Sequence, residues 1–200
     1  MNPLNSVRGS IITGFVIAIV ISLAITPTMF HELGLARWLH ILSGITWIGL
    51  LYYFNLVQTP GLAVAAADKG GPGGAGISKY IAPRALFWFR WGAVATWLTG
   101  AWYLARSGNL GGALTLGMGT DPVNYYQLVI GIGAWLGTIM LFNVWVLIWP
   151  NQQKILGIKP ATDDEKAKAR KVAGLASRTN FVLSIPMLLC MASATHGLPF

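Results

Sequence analysis

Long apolar stretches with few charges recur along the chain and predict helices that cross a membrane. A hydrocarbon core of about 30 Å needs about 20 mostly apolar residues in helical form. Five segments fit this length: residues 11–27, 38–58, 85–104, 125–149 and 180–196. The third is unusual because Arg90 lies inside it. None alternates with the period of two that barrel strands show, so we predict an all-α, polytopic membrane helix bundle with five transmembrane helices.

The composition agrees with this prediction. Hydrophobic residues make up 54% of the 200 residues and charged residues only 10%, with a mean hydropathy of +0.59, whereas soluble domains have about 25% charged residues. We expect a multi-pass membrane protein, organised as a single membrane domain over residues 1–200.

The basic residues predict the orientation of the chain. Of the 14 Lys and Arg, only Arg37 and Arg106 fall in the loops after the first and third predicted spans. The positive-inside rule therefore puts the N-terminus in the cytoplasm and the C-terminus in the periplasm. We interpret the net charge of +8 as this orientation signal, and we expect a lipid bilayer and no nucleic acid as partner.

A polar segment precedes the last predicted span. Thr162 and Glu165 have the spacing of a capping box, and acidic residues open the segment while basic residues follow, which suits the helix dipole. This pattern predicts a short cytoplasmic helix at about residues 163–176.

The three histidines, His31, His40 and His196, all fall on the predicted outer side of the membrane. His40 shares one helix face with Ser43, Gly44 and Trp47, at positions i, i+3, i+4 and i+7. Small residues beside an imidazole leave room for a flat group, and a b-type haem needs an axial imidazole, a groove and apolar walls. The sequence has a single cysteine and therefore no CxxCH motif, so a haem would be held without covalent attachment.

Three interpretations of the histidines stay open. In the first, His40 and His196 are the metal ligands of a haem b, with Met191 or Met187 as a weaker substitute for His196. In the second, the histidines only bond to carbonyls or headgroups, and the small residues only allow close helix packing. In the third, His31, His40, His196 and a methionine bind copper, which accepts imidazole and thioether ligands.

A second cluster of polar residues lies near the predicted inner ends of three spans, and it consists of Asn55, Arg90 and Asn143. An arginine inside a membrane is a functional-site hypothesis by default, and none of the six acidic residues lies inside a span. Arg90 is thus expected either to bind an anion, together with Asn55 and Asn143, or to extend toward the interface in a structural role.

Three segments resemble the bacterial integral-membrane urate oxidase (urate hydroxylase, PuuD) family. They are WLHILSGITWIGLLYYFNLVQTP (Trp38–Pro60), FNVWVLIWPNQQKI (Phe142–Ile155) and SRTNFVLSIPMLLCMASATHG (Ser177–Gly197). More distantly, LH followed by WIG and then PRALFWFRWGAVATWLTG (Pro83–Gly100) is similar to membrane protoporphyrinogen oxidases of the HemJ type and to the copper-resistance CopD group. In the HemJ type, the histidine that matches His40 is a haem ligand.

The resemblance implies a membrane redox scaffold that passes electrons to a periplasmic c-type cytochrome or to a larger complex. If the protein is an enzyme, the family implies an oxidoreductase, such as a urate oxidase, that works with a separate cytochrome. Two other classes stay open: a non-catalytic accessory subunit of a respiratory, photosynthetic or oxygenase membrane complex, and a copper-handling membrane protein.

Overall fold

The structure is a computed structural model that describes residues 2–25 and 30–199. Regular structure in these residues is entirely helical, without a strand, so the all-α prediction is confirmed for this part of the chain. Contacts divide the chain into two compact units, Met1–Glu32 and Leu33–Phe200. The last two residues of the first predicted span, 26 and 27, lie outside the described residues.

The first unit contains one long helix. A 3₁₀ turn at Pro3–Asn5, capped by the Asn2 side chain, precedes helix α1 at Val7–Ile25. Its 19 residues are long and apolar enough to cross a membrane, and none of them is buried.

The second unit contains four long helices and one short one. They are α2 (Glu32–Ala67, of which Glu32 belongs to the first unit), α3 (Ala82–Arg106), α4 (Leu110–Leu114), α5 (Tyr125–Ile155) and α6 (Asp163–Ser193). The predicted surface helix and the predicted last span are therefore one continuous helix of 31 residues. The capping box at Thr162 and Glu165 begins this helix, as predicted.

Four helices, α1, α2, α5 and α6, meet the length and hydropathy that a membrane span requires. Helix α3 has 25 residues, but Arg90 and several tryptophans lower its mean hydropathy, so it is not among the four. A multi-pass membrane protein follows from the four. A fifth crossing by α3 and the positions of the two termini relative to the membrane stay predictions.

The core of the second unit lies where α2, α3, α5 and α6 meet. Its buried residues are Trp47, Leu51, Phe54, Leu86, Phe89, Ala93, Met140, Val144, Ile148, Ala176 and Met187. Because each of the four helices contributes side chains to this cluster, the positions of α2 and α3 are fixed relative to those of α5 and α6.

A widened helical turn precedes a proline at three places, at Phe54–Gln58, Ile77–Ile81 and Asn143–Ile148. In each, the residue just before the proline donates its N–H to the carbonyl five positions back, as Trp149 does to Val144. A proline has no N–H and clashes with the carbonyl four positions back. The wider π turn accommodates the ring while the chain stays helical.

Candidate cofactor cavity and buried arginine

The His40 side chain is fixed by a bond to the neighbouring helix. Its Nδ1 lies 2.8 Å from the backbone carbonyl oxygen of Thr96 on α3. Since a carbonyl can only accept, Nδ1 is assigned as the protonated nitrogen and donates to it, while Nε2 keeps its lone pair. Histidines that bind metals typically have this arrangement, in which the second nitrogen is bonded to a backbone carbonyl.

Gly100 explains how the imidazole reaches this carbonyl. Gly100 follows Thr96 by one helical turn, and a Cβ placed on it would lie 2.9 Å from Cε1 and 3.0 Å from Nδ1 of His40. Contacts that short are essentially absent from real proteins. The missing side chain therefore creates the space in which the ring lies against the backbone of α3.

His40 and Trp47 line a cavity of about 290 Å³ together with residues from α3, α5 and α6. Small residues such as Gly100 and Gly137 form part of the wall, and the thioether side chains of Met187 and Met191 form another part. The volume is close to the lower end of the range of about 300–1,000 Å³ for small-molecule pockets. The lining is mainly apolar, which suits a ligand with a large hydrophobic surface.

The other two residues of the predicted face have different surroundings. The Ser43 hydroxyl donates to the carbonyl of Leu39 at 2.7 Å and is not part of the cavity wall. A Cβ on Gly44 would make an ordinary 3.7 Å contact with Thr96. The space at Gly44 would therefore accept a small side chain, so the packing of α2 against α3 does not require a glycine at this position.

The other two histidines predicted as metal ligands, His196 and His31, are not part of the cavity wall. His196 is exposed after the end of α6, and its neighbour Thr195 lines the cavity while His196 does not. His31 belongs to the first unit. Within residues 2–25 and 30–199, no group of three His, Cys, Asp or Glu side chains could bind a metal ion. Ligation by His196 and a copper site therefore stay predictions without support from the geometry.

The residues of the cavity fit a haem as ligands. Nε2 of His40 has the free lone pair that an axial ligand needs, and Met187 and Met191 offer two thioethers, the second kind of axial ligand that haem proteins use. The Nε1–H of Trp47 is buried without a hydrogen-bond partner among the described residues, which leaves a donor for a polar group. Because the cavity is partly open and small, a macrocycle would have to extend beyond it.

Arg90 lies at a separate place on α3. Only 8% of the residue is exposed, and its guanidinium carbon lies 3.3 Å from the ring centroid of Trp149. Trp149 is the first residue of the last part of α5, Trp149–Ile155. Nε and Nη1 are buried and have no hydrogen-bond partner among the described residues.

The two asparagines predicted beside Arg90 bond to other helices. Asn143 donates to the side-chain oxygen of Asn180 at 2.8 Å, and Asn180 donates to the carbonyl of Met140 at 2.9 Å. Asn55 donates to the Leu51 carbonyl at 2.8 Å and to the Ser177 hydroxyl at 3.0 Å. These bonds connect α2 and α5 to α6, and a contribution of the asparagines to an anion site stays a prediction.

Sequence reasoning did not identify Thr96, Gly100 or Trp149 as parts of these two sites. Thr96 and Gly100 have a spacing of four, which indicates a shared helix face, but their partner His40 lies 56 residues earlier in the chain. No local pattern connects positions so far apart.

Residues 126–200 match the family model described as urate oxidase N-terminal. This range contains α5 from its second residue onward and all of α6. Met187, Met191 and Trp149 therefore lie inside the matched range, whereas His40 and Arg90 precede it. Comparisons with curated proteins and with solved structures gave no match. The match covers 75 of the 200 residues and confirms the resemblance predicted from the Phe142–Ile155 and Ser177–Gly197 motifs, so this part of the chain is similar to the urate oxidase N-terminal family.

Proposed function

We propose that this chain is a membrane redox protein that binds a b-type haem through Nε2 of His40. The observation that supports this most is the apolar cavity that His40 lines, and the bond of 2.8 Å between Nδ1 of His40 and the Thr96 carbonyl fixes the ring and leaves Nε2 unprotonated. A histidine that only needed a hydrogen-bond partner would be satisfied by this bond alone. The apolar cavity beside the ring is what favours a bound ligand.

Each residue of the cavity has a defined task in this proposal. His40 would hold the haem through Nε2. Met187 or Met191, which line the same cavity, would supply a second ligand, and His196 is the alternative that the sequence suggests. Gly100 gives the His40 imidazole its place beside α3, Gly137 leaves space for the ring system, and Trp47 can donate its Nε1–H to a polar substituent. When bound, the haem supplies one-electron chemistry, with electrons passing to a periplasmic cytochrome or a larger complex.

The absorption spectrum of the purified protein tests this proposal. We expect a Soret band from the wild type, either as purified or after addition of haem, and its loss in His40→Ala. Met187→Leu, Met191→Leu and His196→Ala each preserve His40, so the one that shifts the band identifies the second ligand. Every variant should first be shown to elute as the wild type does on size exclusion.

Three results would contradict the proposal or part of it. A well-folded wild type that stays colourless after haem is added would favour a non-catalytic accessory subunit. Bound copper in elemental analysis, without a Soret band, would favour the copper-handling alternative. A Soret band that survives in His40→Ala would refute the role of His40 and keep only the general redox function.

A further inference from the structure

We propose that Arg90 and Trp149 form an oxyanion-binding site, separate from the His40 cavity, that takes a phosphate group. The proposal does not depend on haem binding, because neither residue lines the cavity. It rests on a buried guanidinium with unused donors, on the absence of a carboxylate partner among the residues that the structure describes, and on the position of Trp149 near the end of α5.

The unused donors of Arg90 are the first observation. Nε and Nη1 are buried without a hydrogen-bond partner among the described residues, and the residue as a whole is only 8% exposed. A buried donor without a partner is costly, and more so when it is charged. Each of these nitrogens shares one edge of the guanidinium with Nη2, so each edge presents parallel donors that fit an oxyanion.

The charge of Arg90 is the second observation. No ion pair to Arg90 exists within residues 2–25 and 30–199, a range that contains all six acidic residues of the chain. A cation in an apolar segment is expected to be paired or to contact a polar path. An anion from outside the chain would neutralise this charge and satisfy its donors together.

Trp149 determines how such an anion can approach. Its ring covers one face of the guanidinium at 3.3 Å, a cation–π contact that uses none of the edge donors, so an anion would meet those donors in the guanidinium plane. The π turn at Asn143–Ile148 immediately precedes Trp149. A π turn holds one residue more than an α turn, so the side chains after it are offset by about 100° from their positions in an unbroken α-helix of the same sequence. This turn therefore sets the direction in which Trp149 projects.

The position along the helices favours a headgroup phosphate or a phosphate ion from the adjoining aqueous phase. Arg90 is 15 residues from Ala75, where the continuous helical backbone that leads into α3 begins, or about 22 Å along the axis. Trp149 is six residues from the end of α5 at Ile155, or about 9 Å. The depth of the site is therefore set by Trp149, whose ring contacts the Arg90 guanidinium, and this end of α5 is within reach of the region where lipid headgroups lie.

Native mass spectrometry of the purified protein in detergent tests the lipid source. We expect the wild type to retain phospholipid, and Arg90→Gln to retain about tenfold less, because a charge-assisted hydrogen bond of ordinary strength changes an affinity by at least that factor. Arg84→Gln is the matched control, since Arg84 is on the same helix but exposed, and it should retain lipid as the wild type does.

Thermal unfolding of delipidated protein with added inorganic phosphate tests the aqueous source. A phosphate-dependent rise in the melting temperature of the wild type and of Arg84→Gln, but not of Arg90→Gln, is expected if the anion is soluble. If Arg90→Gln does not fold, the wild-type measurements decide. A wild type that neither retains phospholipid nor responds to phosphate, or an Arg90→Gln variant that behaves as the wild type in both assays, would overturn the proposal.

Discussion

Replacing Gly100 by alanine is the most direct test of the geometry around His40. The added Cβ would lie 2.9 Å from Cε1 and 3.0 Å from Nδ1 of the imidazole, so the ring must move away from α3. That movement lengthens or breaks the 2.8 Å bond between Nδ1 and the Thr96 carbonyl. The perturbation is thus a single methyl group whose main effect falls on one side chain of another helix.

The expected cost follows from three contributions. Overpacking by one methyl group costs about 2 kcal/mol, and the lost hydrogen bond costs about 1 kcal/mol. Alanine instead of glycine inside a helix returns about 1 kcal/mol. We therefore expect Gly100→Ala to lower the free energy of unfolding by about 2 kcal/mol.

Gly137→Ala is the matched control. Gly137 also lines the cavity, but a Cβ on it would have no atom within 4 Å. We expect this variant to be as stable as the wild type or more stable by up to about 1 kcal/mol. The two substitutions add the same methyl group to the same cavity and differ only in whether His40 obstructs it.

Thermal or denaturant unfolding in detergent measures the difference in stability, and ¹⁵N spectra of the histidine rings report the proton on Nδ1 of His40. In a His40→Ala background, Gly100→Ala should lose most of its cost because the obstructing ring is gone. The reasoning would be refuted if Gly100→Ala were as stable as Gly137→Ala and kept its Nδ1 proton signal unchanged.

Two further predictions concern bonds elsewhere in the second unit. Asn180→Ala should destabilise the protein by about 1–3 kcal/mol because it leaves the buried amide of Asn143 without its acceptor. A double-mutant cycle with Asn143→Ala should give a coupling energy of about 0.6 kcal/mol. Unfolding measurements test both values, with the exposed Thr179→Ala as control. Thr162→Ala should reduce the stability of the first turn of α6 by about 1 kcal/mol. Amide hydrogen exchange in that turn should become faster, and unchanged exchange would contradict the importance of the cap.

The apolar segments of the sequence predicted the long helices well, because burial in lipid demands a composition that is visible without knowledge of the fold. The boundaries were less predictable. Residues 163–176 and 180–196 were predicted as two helices since their polarity differs, yet nothing between Ser177 and Asn180 breaks a helix, and the structure has one. Polarity reports the surroundings of a helix and not whether the backbone continues.

The candidate sites were predictable only in part. His40 and Arg90 were identified because each is an unusual residue in an apolar segment. Their partners, Gly100 and Trp149, were not identified because they are ordinary residues for a membrane helix. What distinguishes these partners is the packing of helices that are far apart in sequence, and a single sequence does not specify that packing.

The three π turns give this fold points at which a helix can lose one residue without turning its other side chains. Each π turn holds one residue more than a regular turn, so deleting one residue from Phe54–Gln58 or from Asn143–Ile148 would convert the wide turn into a regular one and leave the side chains on both sides facing nearly as before. The same deletion in a regular turn of α2 or α5 would swing all side chains on one side by about 100° relative to the other side. Single-residue deletions within the π turns should therefore be less disruptive than deletions in the regular turns of the same helices, and their remaining cost is the lost space for the proline that follows.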